Sequence, residues 1–155
     1  MKTPSIKPPS DLHSHIGFWL RYVSNHVSHA FAQKLLASGV TVAEWVILRE
    51  MFDRDGTAPS DLAELTGLTR GAISKLADRL IAKKLLARTY AKDDRRYQTL
   101  TLTTAGHNLV PALAKLADEN DEQFFAALSS KQRKRLVNTL KKLVEANHLS
   151  TLPTE

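Results

Sequence analysis

Nine basic residues fall between Arg70 and Arg96 (Arg70, Lys75, Arg79, Lys83, Lys84, Arg88, Lys92, Arg95 and Arg96), against three acidic ones, Asp78, Asp93 and Asp94, a local net of +6. That equals the formal charge of the whole 155-residue chain, because the thirteen basic and thirteen acidic residues elsewhere cancel. A positive field confined to one stretch attracts phosphates and is the electrostatic footprint of a surface that meets nucleic acid. Catalysis has no comparable signature: no local Ser-His-Asp arrangement, glycine-rich phosphate loop or metalloprotease motif is present, so no enzymatic activity is expected.

Metal and redox chemistry fare no better. The chain has no cysteine, which removes disulfides, zinc-thiolate sites and thiol-based sensing together. His26 and His29 stand three residues apart, a spacing that puts two imidazoles on one helix face. No third ligand is near them in sequence, and His13 and His15 face different ways, so no metal site is assigned. Polar helix positions or dimer contacts explain these histidines.

The elements that would carry the basic stretch can be read from periodicity and caps. One long helix is expected from Ser10, as N-cap, to Gly39, with Leu12, Ile16, Trp19, Leu20, Val23, Val27, Phe31 and Leu35 recurring at three- and four-residue steps. Thr41 and Glu44 have capping-box spacing, and open a second helix reaching about Phe52. Residues 53–57 form its polar exit loop. Pro59 suits the first position of a third helix, expected to bury Leu62, Ala63 and Leu65 and to stop at Gly67. Thr69 caps a fourth. Only Gly67, Leu68 and Thr69 separate those two helices, which is the helix-turn-helix pattern. On the fourth, Ile73, Leu76, Ala77, Leu80 and Ile81 form an apolar stripe that turns Arg70, Ser74, Lys75 and Asp78 outward, near the end that meets base edges in a recognition helix.

Beyond Lys84 the period changes to an alternation, giving two strands, Leu86 to Tyr90 and Thr99 to Leu102, joined by a charged loop too long for a tight hairpin. That loop, 91–97, makes a wing. Thr103 or Thr104 caps a fifth helix to about Leu128, with Pro111 inside it expected to kink it or delay its start. Ser129 and Gln132 form a second capping box before a sixth helix through Leu136, Val137, Leu140, Leu143 and Val144. Residues 1–10 and 150–155 are expected to be loose tails. No run approaches eighteen apolar residues and the first ten residues make a poor signal peptide, so a cytoplasmic protein is expected.

This order resembles the MarR/SlyA family of winged-helix regulators across nearly the whole chain, from about Asp11 to Leu149. The resemblance rests on Leu62-Ala63-Glu64 through Gly67-Leu68, Asp94-Arg95-Arg96 in the wing, Leu102-Thr103-Thr104-Ala105-Gly106 where ribbon becomes helix, and Leu128-Ser129 ahead of the last helix. The fold class is accordingly mostly α with a small β-wing (α+β): one winged helix-turn-helix domain over 11–149. Residues 42–103 form the DNA-binding lobe, and 11–39 and 104–149 supply long dimerisation helices.

The resemblance implies a homodimer that regulates transcription by binding a pseudo-palindromic double-stranded DNA operator, most simply as a ligand-responsive repressor. The fourth helix would enter the major groove and Arg96 the adjacent minor groove, with Asp94 holding that arginine or bracing the loop. Candidate DNA contacts are Thr69, Arg70, Gly71, Ser74, Lys75 and Arg79 on the helix, and Arg88, Lys92, Asp94, Arg95 and Arg96 on the ribbon and wing. The resemblance also implies a small-molecule pocket between lobe and dimerisation helices. Trp19 and Trp45 would wall it for an aromatic or phenolic effector, and Arg21 or Arg49 would pair its anionic group. No cofactor is expected. The competing readings are a winged-helix module that docks proteins without touching DNA, and a metal-responsive regulator.

Overall fold

The structure is a computed structural model in which residues 8–151 are described. The expected tails at 1–10 and 150–155 therefore lie partly outside the described residues. The first helix does not run unbroken from Ser10. The Asp11 carboxylate accepts from the His13 backbone N–H and caps a separate 3-10 turn, Leu12–Ser14. Helix α1, Ile16–Leu35, starts one residue later without a side-chain cap. Ser10, expected as the N-cap, instead bonds the His15 ring. A second 3-10 turn, Leu36–Ser38, leads to Gly39, whose φ of 64° is the left-handed stop that glycine adopts without a Cβ penalty.

Helix α2, Val42–Met51, opens on the Thr41/Glu44 capping box. Helix α3, Pro59–Thr66, starts on its proline and ends at Gly67 with φ 71°. Helix α4 spans Arg70–Ala82 behind the Thr69 cap. Leu62 is fully buried, but Leu65, expected to be buried beside it one turn on, is 43% exposed near the end of this two-turn helix.

Strands β1, Leu86–Tyr90, and β2, Gln98–Leu102, pair antiparallel with Arg88 opposite Leu100. The stretch 53–57 is not merely a polar exit loop. Thr57 is buried and exchanges both backbone hydrogen bonds with Leu100 at 2.9 Å, an isolated bridge that anchors the ribbon beside the start of α3. Helix α5, Thr104–Phe124, begins directly after its Thr103 cap and continues through Pro111, so the proline does not delay the start. Helix α6, Ser130–Ala146, follows the Ser129/Gln132 capping box.

One core holds these pieces together. Phe31 and Leu35 of α1 and Val110 and Leu113 of α5 meet Ile47, Leu48, Leu62, Ile73, Leu80, Leu86 and Leu100. Gly106, in the ribbon-to-helix junction, is buried because the backbone of Leu85 crosses it: a Cβ there would run into the Leu85 carbonyl oxygen. Gly106→Ala is expected to cost roughly 1–3 kcal/mol through forced backbone displacement, measured as a fall in the urea midpoint at unchanged m-value.

Outside the core the apolar surface is unusual. No residue of α6 is buried, and Leu136, Val137, Leu140, Leu143 and Val144 are 37–49% exposed. Leu12, Ile16, Leu20 and Val23, at the other end of the sequence, are exposed as well. Contiguous apolar surface of this extent marks an association surface rather than a solvated face. No single helix among the described residues is long and apolar enough to cross a membrane.

Candidate nucleic-acid interface

Helix α4 buries Ile73, Leu76, Ala77 and Leu80 and so must present Arg70, Gly71, Ser74, Lys75, Asp78 and Arg79 to solvent. Its start is fixed by two local devices. The Thr66 hydroxyl donates to the Leu62 carbonyl at 2.6 Å and accepts from the Leu68 N–H at 3.3 Å, closing the turn. The Thr69 hydroxyl accepts from the Ala72 N–H at 3.2 Å, so Thr69 serves the helix as its N-cap. Gly71 needs no special φ, and a Cβ there would meet nothing within 4 Å. The fold does not require glycine at Gly71, and its outer side is open.

The wing is closed by backbone hydrogen bonds from Ala91 N–H to the Tyr97 carbonyl and from Tyr97 N–H to the Asp94 carbonyl. Within it the Asp94 carboxylate accepts from the Arg96 backbone N–H at 2.9 Å, from Nε at 3.0 and 3.1 Å, and from Nη2 at 2.8 Å. The fork of the guanidinium is thereby oriented while the Arg96 side chain stays 89% exposed. The Arg96 side chain, and secondarily its backbone N–H, holds the Asp94 carboxyl below the ordinary aspartate range. Lys92 and Arg95 are exposed on the same loop.

Helix and wing face each other across a cleft of about 450 Å³. Arg70, Ser74 and Ala77 line it from α4, Pro59 and Ser60 from the start of α3, and Arg88, Arg96, Tyr97 and Gln98 from the ribbon. The structure thus brings four of the sequence-derived candidates, Arg70, Ser74, Arg88 and Arg96, to one concavity, and leaves Lys75 and Arg79 on the outer side of the helix. Arg88 is the most enclosed of them. Its Nη2 donates to Asp78 at 2.7 Å while its Nε is buried without a hydrogen-bond partner. That Asp78 bond raises the guanidinium pKa further, against the desolvation that lowers it.

One member of the basic stretch belongs elsewhere. Lys83 Nζ donates to the buried Glu44 carboxylate at 2.6 Å and to the Gly39 carbonyl at 2.7 Å, so its charge is paired within the fold rather than offered to a ligand. Arg70, Lys75, Arg79, Lys84, Lys92 and Arg95 form no ion pair among the described residues, which keeps the surface strongly positive.

The candidate effector residues are not gathered the same way. The Trp19 Nε1–H donates to the His13 carbonyl at 2.9 Å, and the indole stands edge-on to Phe18 at 5.1 Å. Trp45 packs edge-on to Phe31 at 6.2 Å, against the core. Arg49 pairs with Asp53 at 2.9 Å and lies over the Phe52 ring, and Arg21 is exposed on α1. The two indoles therefore belong to different aromatic groups in one protomer. Among the described residues no cluster of three or more histidine or acidic side chains is arranged to hold a metal ion, and His26 packs on Tyr22 instead.

Known proteins match both the site and the frame. The profile described as the MarR family matches residues 38–96, which contain the helix-turn-helix and the wing to Arg96. The chain is 24% identical over 149 residues to the HTH-type transcriptional repressor NicR of Pseudomonas putida, covering 94% of each chain. Bordetella bronchiseptica BpsR, solved in work on the regulation of its DNA binding by 6-hydroxynicotinic acid, superposes with a TM-score of 0.81 at 27% identity, over 88% of this chain and 97% of that one. A Staphylococcus aureus MepR–DNA complex superposes with a TM-score of 0.78 at 25% identity, over 85% of this chain and 98% of that one. With the positive cleft, the helix-turn-helix and the arginine-tipped ribbon in place, residues 38–96 match the MarR family, and the chain as a whole resembles the winged-helix, DNA-binding transcriptional regulators of that family.

Proposed function

We propose that the protein is a cytoplasmic, ligand-responsive repressor that binds a pseudo-palindromic operator as a homodimer. The observation that carries this reading is the shared cleft, in which Arg70 and Ser74 of the recognition helix face Arg96 of the wing. A duplex laid along α4 offers its major groove to the helix and its next minor groove to the wing tip. Thr69, Arg70, Gly71, Ser74, Lys75 and Arg79 meet the first, and Lys92, Asp94, Arg95 and Arg96 the second.

The dimer follows from the uncovered apolar faces. Residues 11–39 and 104–149 form the dimerisation layer, and 42–103 the lobe that reads DNA. A second copy covers α6, which buries nothing within one protomer. The two-fold axis then sets the recognition helices about 34 Å apart, one turn of the duplex. An aromatic or phenolic acid acts as effector by favouring a dimer in which that spacing is lost. Its site draws on Trp19, Arg21, Trp45 and Arg49, with the two subunits completing what one does not enclose. The BpsR relative, whose DNA binding is regulated by such an acid, supports this class of ligand.

Footprinting the purified protein on the DNA upstream of its own gene tests the reading. Two protected half-sites one turn apart, with affinity falling steeply with salt, are expected. A monomer that protects nothing at low salt would overturn it. Titrating 6-hydroxynicotinate and a panel of benzoates and phenols while following tryptophan emission and operator release tests the effector, and a flat response across the panel removes it.

A further inference from the structure

Asp78 poses a question that the DNA-binding reading leaves open. Arg70, Ser74 and Asp78 descend one side of α4 at four-residue steps, so a carboxylate sits on the surface that must approach phosphates. Left alone it would repel them. It is not alone: Arg88 reaches across from β1 and donates Nη2 to Asp78 Oδ1 at 2.7 Å. The two ends of this contact differ in burial, with the Arg88 side chain 22% exposed and that of Asp78 62% exposed.

Arg88 enters from strand β1, whose register with β2 sets Arg88 opposite Leu100, and Leu100 is itself pinned to Thr57 at the start of α3. The bond therefore closes a loop of contacts running from recognition helix to ribbon to helix-turn-helix. The base of the ribbon is held by Thr57 and by Leu86 and Leu100 in the core, whereas Asp78–Arg88 is the ion pair that ties the exposed side of α4 directly to the ribbon.

Resting on the reading that α4 and Arg96 enter neighbouring grooves, we propose that Arg88 is a positioning residue. It braces the ribbon against Asp78 and so fixes the gap between the two reading elements, rather than contacting the duplex itself. A guanidinium already committed to a carboxylate, with its Nε turned into the protein, has little left to offer a phosphate. A wing held at the right distance costs less to order on binding, so affinity is gained through preorganisation.

The sign of one substitution separates this role from its rivals. If Asp78 were only an acidic blemish on the surface, Asp78→Ala would tighten operator binding. If Arg88 were a phosphate contact, Arg88→Ala would weaken binding and lower the salt slope by about one, while Asp78→Ala would not weaken it. A brace predicts that Asp78→Ala weakens binding, by roughly fivefold or more, and that Arg88→Ala added to it costs little further. It also predicts that Arg96→Ala loses much of its effect in the Asp78→Ala background, because the wing is already misplaced.

Fluorescence anisotropy on the operator, with hydroxyl-radical footprints of the flanking minor grooves, reads all of these. Asp78→Ala should blur hydroxyl-radical protection at the wing sites while guanine N7 protection in the major groove, read by dimethyl sulfate methylation, persists. Asp78→Asn, which keeps the side-chain volume, serves the same comparison if the alanine variant melts early. Unchanged or tighter binding by the Asp78 variants, or an Arg96→Ala penalty as large as in the wild type, would overturn the brace and leave the DNA-binding reading standing. A wild-type protein with no footprint would overturn both.

Discussion

Replacing Lys83 with methionine is expected to lower the unfolding free energy by about 3 kcal/mol, more than any surface substitution in the basic stretch. Glu44 is fully buried, and its Oε2 serves three structural roles at once. It accepts from the Thr41 N–H to complete the capping box and from Lys83 Nζ, and through Lys83 it is tied to the Gly39 carbonyl. Its Oε1 is buried without a hydrogen-bond partner. Removing the ammonium leaves an uncompensated carboxylate in the interior, the costly way to break such a pair. Lys83 is itself 37% exposed, and water screens part of the loss, which puts the figure at the low end of the range for buried pairs.

The pH dependence follows with a definite sign. Burial works to raise the Glu44 pKa, but the Lys83 and Thr41 hydrogen bonds outweigh it, and the folded value lies below the ordinary 4.5. A depressed carboxylate contributes stability that is complete above the unfolded pKa and is lost as pH falls through the folded one. Urea unfolding at pH 7 and at pH 3 should therefore show wild type and Glu44→Gln far apart at the first and closer at the second. Equal separation at both would refute the assignment. The Lys83→Met loss should shrink on the same titration, because a protonated Glu44 no longer needs its cation.

What could be read from the chain alone, and what could not, divides by distance along it. The caps at Thr41, Thr69 and Ser129 each depend on a partner three residues away and form where the spacing places them, and of the two candidates for α5, Thr103 and Thr104, it is Thr103 that caps. Gly67 stopped α3, and the apolar stripe of α4 fixed which residues face out, because both are properties of a single helix. The break at Ser14 and His15 was lost because the apolar period continues across it while Asp11 caps a competing 3-10 turn.

Partners remote in sequence carried no signal. Lys83 finds Glu44 across 39 positions and reads in the sequence as one more surface charge. Thr57 reads as loop until Leu100 is brought beside it. Of the candidate site, the helix residues were legible from period and charge, whereas the cleft contributed by Pro59, Ser60, Tyr97 and Gln98 exists only once the ribbon folds back on α3 and α4. The indoles mark the limit of residue type as a signal: within one protomer the helix faces give Trp19 and Trp45 different neighbours, so a shared pocket needs the second subunit of the proposed dimer.

Operator binding by Arg96→Ala is expected to fall by roughly ten- to a hundredfold with stability unchanged, since the side chain stands 89% exposed and supports nothing in the core. Two features make the loss exceed that of an ordinary surface cation. The Asp94 carboxylate grips Nε and Nη2 together, so the guanidinium is oriented before DNA arrives and little rotamer entropy is lost on contact. In the proposed complex the wing also carries it to the minor groove, where A·T-rich sequence narrows the groove and deepens its negative potential. The penalty should consequently be largest on operators with A·T-rich flanks and shrink when those flanks are changed to G·C. A simple phosphate contact would instead weaken binding uniformly across sequences. Asp94→Ala separates orientation from charge: it keeps the arginine but releases it, and should cost less than Arg96→Ala while losing the same flank preference. Anisotropy titrations on paired A·T and G·C operators decide the matter, and an Arg96→Ala penalty indifferent to the flanks would place this arginine on the backbone rather than in the groove.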